Sequence, residues 1–185
     1  MPRKILLILL LSILSSFSFQ GSTNTVHALR PLTDGSGFEL SMRLKIPSLE
    51  LDAVIEPVGL TAAGAMEVPK DPADVGWFEQ GPRPGEIGSA VMDGHYGVWK
   101  NGTVAVFNRL NELKPGDDLS VEDAAGVISH FVVREVRSYD WDADTSEVFN
   151  SSDGKAHLNL ITCEGVWNTT QGSYPKRLVV FTDKV

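Results

Sequence analysis

A chain of 185 residues with 24 acidic against 16 basic side chains carries a formal charge of −8, and its length suits one domain with a sizeable core. That balance lacks the basic stripe a phosphate backbone demands, so nucleic acid is not an expected partner. A single cysteine, Cys163, leaves one thiol with no intrachain partner to oxidise with.

The chain opens on a short basic head, Met1-Pro2-Arg3-Lys4, followed by an apolar run over 5–14 and a Ser/Phe tail. These are the n- and h-regions of a secretory signal, and Val26-His27-Ala28 offers small residues for cleavage. The run falls short of the roughly 20 residues that span a bilayer comfortably, although 15–19 could extend it into an uncleaved anchor. Residues 1–28 are therefore expected to be a signal peptide or N-terminal membrane anchor. Residues 29–40 form a linker and 41–185 the domain. Beyond residue 28 the chain keeps 14 basic and 24 acidic side chains, a net of −10. The domain is expected outside the cytoplasm, secreted or tethered at the cell surface.

"SMRLKIPSLELDAVIEPVG" alternates apolar and polar residues on both sides of Pro47, which predicts two short strands and a turn. "GSAVMDGH" is a compact apolar run ending at His95, and a short helix is expected over 106–113. "DDLSVEDAAGVISHFVVREVRSYD" reads as a hairpin turning at 123–126, with Val127, Ser129, Phe131, Val133 and Val136 along a half-buried second arm. A second short helix is expected over 143–150. "AHLNLITC" and "RLVVFTDKV" supply two further strands. Many short strands with Gly and Pro punctuation point to an all-β domain with short helices, either a closed barrel or a sandwich.

Reactive side chains collect at strand ends: His95 ends one, Cys163 ends another, and Arg177 begins the last. At one rim of a barrel, such ends lie within side-chain reach of each other. A thiolate can attack a carbonyl, an imidazolium can protonate a leaving amine, and a guanidinium can donate to an oxyanion. These three permit acyl transfer through a thioester, with cationic neighbours expected to favour the thiolate.

"LITCEG" followed by "YPKRLVVFTDK", with "MDGHYG" upstream, resembles the sortases, the cysteine transpeptidases of bacterial surfaces. "RLKIPSLELDAVIEPVGLTAAGAMEVPKDPADVGWFEQGPRPGEIGSAVMDGH" and "VFNRLNELKPGDDL" resemble the class F branch most, and the likeness runs over 42–184. The resemblance implies a closed eight-stranded sortase-type β-barrel that needs no cofactor. It implies Cys163 as nucleophile, His95 as acid/base and Arg177 as the holder of substrate carbonyls or the oxyanion. Its expected partners are surface proteins bearing a Leu-Pro-x-Thr-Gly-like sorting signal and an amine acceptor of cell-wall or pilin type. Two positions depart from the family's pattern. Asn159 stands where its Thr-Leu-x-Thr-Cys begins, and Gly97 stands where many class F members carry Asp.

Other residues compete for these roles. His27 lies in the leader, His130 alternates with the apolar face of its arm, and His157 sits six residues before Cys163, some 20 Å along a strand. For the arginine, Lys176 and Arg83 are the rivals. "DWDADTSE" matches the first ligands of a calcium loop through Asp140, Asp142 and Asp144, but Thr145 replaces the required Gly and Ser151 the closing Glu. A solvated acidic loop is the reading adopted, with no metal. Loops 139–156 and 166–174 flank the cysteine strand and are expected to select substrate, with Trp167 and Tyr174 packing on a peptide or on the barrel. The alternative to an enzyme is an exported, non-catalytic β-barrel binding module whose cysteine is inert.

Overall fold

The computed structural model describes residues 41–99 and 101–185. The expected leader and linker lie outside the described residues, among which no helix is long and apolar enough to cross a membrane.

Eight strands alternate with short turns: β1 (Met42–Ile46), β2 (Leu51–Val58), β3 (Val75–Phe78), β4 (Gly88–Gly94), β5 (Asp118–Glu122), β6 (Ile128–Asp140), β7 (Ala156–Glu164) and β8 (Lys176–Lys184). They close into one barrel in the order β1-β2-β3-β4-β7-β8-β6-β5. The pairs β2/β3 and β4/β7 are parallel and the rest antiparallel. Closure removes the free edges that an open sheet would expose. The sandwich alternative is thereby set aside.

Local chemistry accounts for most of the joints. Pro47 starts a single 3-10 turn (Pro47–Leu49) that Glu50 ends in the left-handed region at φ 53°, separating β1 from β2. The β5–β6 turn is held by Asp123, whose Oδ1 accepts from the Ala125 and Val127 N–H groups. Helix α1 (Ser146–Phe149) and a second 3-10 turn (Leu110–Glu112) fall inside the two helical windows.

The strands are two-faced. Leu158 and Leu160 of β7, Ala90 and Met92 of β4, and Leu178 and Val180 of β8 point into the barrel around Phe107 and Phe131, both fully buried. The alternate residues Val91, Ile161, Val179 and Phe181 face outward and are covered by Val148 and Phe149 of α1. The outer cluster makes this stretch of sheet buried on both faces, which is why β7 and β8 read as nearly continuous apolar runs.

Two findings differ from the sequence reading, and a third explains a change of phase that the reading already contained. Strand β3 was not foreseen. It is four residues long and pairs in parallel with β2, a contact between distant segments that no local pattern announces. Val127 is exposed and precedes β6 instead of joining its buried face. Phe131 and Val133 are buried and Val136 half-buried against them; the phase changes because β6 shifts register between Val133 and Glu135, leaving Arg134 as the extra residue.

Candidate active site

Cys163 and Arg177 are directly opposed in the β7/β8 ladder, so their side chains leave the same, outer face. On the other side of β7, Asp93 of β4 pairs with Ile161 and shares that face. The β4/β7 ladder stops there, and the buried Thr162 hydroxyl donates to the Gly94 carbonyl at 2.7 Å, pinning the end of β4 against β7. His95 follows immediately after β4, beyond the end of this ladder, and lines a different cleft from the one that holds Cys163 and Arg177. Gly94 is required at the end of β4 because a Cβ there would collide with the Phe107 ring.

His95 is firmly held. Its Nε2 lies 2.7 Å from the Pro69 carbonyl oxygen, which can only accept, so Nε2 carries the hydrogen and Nδ1 is the nitrogen left to exchange a proton. The ring stacks edge-on with Trp99 at 5.1 Å, and its backbone carbonyl accepts from the Phe107 N–H. Arg177 folds back on its own chain, donating from Nη1 to the Tyr174 and Lys176 carbonyls at 3.3 and 3.0 Å. The rest of its planar fork is left to meet a ligand.

The electrostatics contradict one expectation. Burial pushes the Cys163 thiol up; the Arg177 guanidinium opposes this, and the Asp93 carboxylate adds to it. The cationic neighbours therefore do not win in the free protein. Asp93, half-buried, is pushed up to about 7 by loss of water, with the Gly94 N–H and Arg177 pulling the other way. The sequence reading passed over Asp93; its signal was a lone acid inside the apolar run that ends at His95.

Two clefts flank this centre. One, of about 610 Å³, holds Asp93, Ile161, Cys163 and Arg177 together with Phe78 and Trp141. The other, of about 750 Å³, is lined by His95, Trp99, Asn101, Trp167 and Tyr174. In the second, Tyr174 sits edge-on to both Tyr96 and Trp167, with ring centres 5.4 and 5.2 Å apart. Trp167 is thus packed and half exposed at once.

The competing residues lie elsewhere. His130 is exposed on β6. His157 is 4% exposed and wedged between Asp183, 2.8 Å from Nδ1, and Asp153, 3.0 Å from Nε2. In the acidic loop, Asp144 accepts from the Ser146 N–H at the start of α1, and among the described residues no cluster of three or more His, Cys, Asp or Glu is arranged to hold a metal ion.

A closed eight-stranded mixed barrel with a lone cysteine and an arginine facing each other on adjacent strands is the architecture of one family of surface transpeptidases. The chain belongs to it: the sortase domain model matches residues 44–185. Among solved structures, sortase C-1 from Actinomyces oris is similar at 23% identity, with 85% of each chain covered and a TM-score of 0.60. A sortase D5 transpeptidase from Clostridium perfringens matches at 19% identity over 78% of each chain, TM-score 0.57. A lid mutant of sortase A from Corynebacterium diphtheriae matches at 20% identity over 79% of this chain and 70% of that one, TM-score 0.61. These likenesses carry the fold. No curated protein matches the chain.

Proposed function

We propose that this chain is a working sortase of the class F kind, which cleaves a Leu-Pro-x-Thr-Gly-like sorting signal through a thioester on Cys163. The observation that carries the reading is the direct opposition of Cys163 and Arg177 on β7 and β8; His95, just past the end of the neighbouring strand β4, is the histidine assigned to them in this reading. The Cys163 proton passes to Nδ1 of His95. The thiolate attacks the threonine carbonyl, so that an S–C bond forms and the Thr–Gly C–N bond breaks. The imidazolium returns its proton to the leaving amine. Arg177 donates its free N–H groups to the oxyanion. An acceptor amine, or water, then attacks the thioester carbon; its proton goes to His95 and the thiolate leaves.

The raised thiol is compatible with this scheme because a bound peptide displaces water and brings its carbonyl to the arginine at the moment charge develops. The same raised thiol is the one observation that favours the inert-cysteine binding module. In the proposed setting the domain, 41–185, works outside the cytoplasm, with 29–40 as its linker and 1–28 as signal or anchor. Its partners are surface proteins bearing the signal and an amine of cell-wall or pilin type.

Cleavage of a peptide library with and without added amine tests the reading. The expected result is hydrolysis at the Thr–Gly bond that shifts to an amide product when amine is supplied. Intact peptides throughout would leave the binding module in its place.

A further inference from the structure

Three charged side chains line the cleft beside Cys163: Asp93, Asp140 and Arg177. Neither carboxylate forms an ion pair among the described residues. By contrast, Asp52, Glu122, Glu112, Asp183, Glu135 and Glu147 each hold an arginine or lysine. Around Asp93 the wall is apolar, built from Met66, Phe78, Phe149 and Ile161. Asp93 is half-buried against this wall, and loss of water holds its carboxyl above the usual carboxylate range despite Arg177 and the Gly94 N–H.

Its placement is specific. Asp93 faces outward opposite Ile161, two residues along β7 from Cys163, a separation of about 7 Å. An extended peptide whose scissile carbonyl sits at Cys163 covers that distance in about two residues. Across the remaining neighbours, β3 offers Gly76 opposite Asp93, β8 offers Arg177, β6 ends on Asp140, and His95 follows two residues on. The only cation among them, Arg177, lies across β7 from Asp93, opposed to Cys163.

We propose that Asp93 is a specificity-determining residue: it selects donor peptides that carry a lysine or arginine within two residues of the scissile carbonyl. The inference rests on the sortase reading and names the substrate class of that same site. An apolar wall takes the peptide's aliphatic side chains, and the unpaired carboxylate takes the one cationic group among them. A glutamate at that position meets a like charge in a cleft poor in water, so discrimination works by repulsion as well as attraction.

The test is a positional scan with the full-length chain. Lys, Gln and Glu are placed in turn at each position within two residues of the scissile bond of a Leu-Pro-x-Thr-Gly peptide, and kcat/KM is measured for each. At one position Lys is expected to exceed Gln roughly tenfold, with Glu poorer still. Asp93→Asn should bring the three peptides together, read as the ratio of their kcat/KM values within that variant. Asp140→Asn should leave the preference intact. The Lys advantage should be larger at pH 8 than at pH 6, because the Asp93 carboxyl ionises between them.

Equal rates for Lys and Glu at every position would overturn the proposal while leaving the sortase reading standing. So would a preference that survives Asp93→Asn, or a uniform fall across all peptides in that variant, which marks a purely structural residue. Failure to cleave any peptide would remove the sortase reading and this inference with it.

Discussion

Strand β7 carries a histidine near one end and a cysteine near the other, and the two ends are built on opposite terms. At the first, His157 is almost fully buried and both ring nitrogens face carboxylates, while Asp183 also holds Arg134. At the other, Cys163 has no hydrogen-bond partner among the described residues, Arg177 is tied through one nitrogen to its own backbone, and Asp93 has no counter-ion. At the first end both nitrogens of the buried histidine are engaged, which stabilises the barrel. At the other the thiol and the Asp93 carboxyl have no ion-pair partner, which leaves them for a substrate. Histidine alone does not mark the site; the state of its partners does.

Removing the thiol breaks the comparison most sharply. Cys163→Ala should abolish peptide cleavage while the melting temperature stays within a few degrees, since the lost side chain is small and only partly buried. His95→Ala should lower kcat/KM by roughly 10²- to 10⁴-fold, the ordinary worth of a positioned acid/base, measured by steady-state cleavage. If that variant lost less than a few-fold, the free Nδ1 would have no part in the reaction.

Stability should move in opposite directions at the two ends. His157→Ala removes a buried ring that links Asp153 to Asp183 and should cost about 2 kcal/mol in urea unfolding, a figure held down because the two carboxylates are 48% and 42% exposed and keep other donors. Its turnover, corrected for folded protein, should be unchanged. For Asp93→Asn the sign is the reverse. A carboxyl whose folded value stands at about 7, above its unfolded value of roughly 3.9, favours the folded state only when protonated. Stability is therefore lost as pH rises from about 4 through 7, and the neutral amide escapes that loss. Asp93→Asn should stabilise the protein at pH 8 by on the order of 1 kcal/mol and leave it unchanged at pH 4, as read by thermal melts.

A smaller effect concerns the thiol itself. With the Asp93 carboxylate gone, one of the two influences that push Cys163 up is removed. The pH midpoint of its alkylation should fall in Asp93→Asn, followed by iodoacetamide labelling rates. An unchanged or higher midpoint would detach Asp93 from the cysteine.

Much of this was legible before any coordinates. The alternation of β5 and β6 and the apolar runs of β7 and β8 are written in single segments, so these elements could be read locally, as could the strand-end positions of Cys163 and Arg177. What could not be read depends on contacts between distant segments. Strand β3 exists because β2 and β4 accept it on either side, and the phase of β6 changes because β8 sets a register shift near Arg134. Asp93 was missed because its meaning comes from β7: only the parallel pairing with Ile161 puts it on the face of Cys163. The titration of the thiol followed the same rule. A shared rim suggested cations beside the thiol, whereas burial, a property of the whole barrel, dominates.

The central claim is that the Cys163 end of β7 performs acyl transfer. Its most direct test is the intact mass of the full-length protein quenched during turnover of a Leu-Pro-x-Thr-Gly peptide. The account predicts a mass increase equal to the peptide's acyl portion, mapped to Cys163, absent in Cys163→Ala and released by added amine. An unmodified Cys163 across a range of such peptides would contradict it.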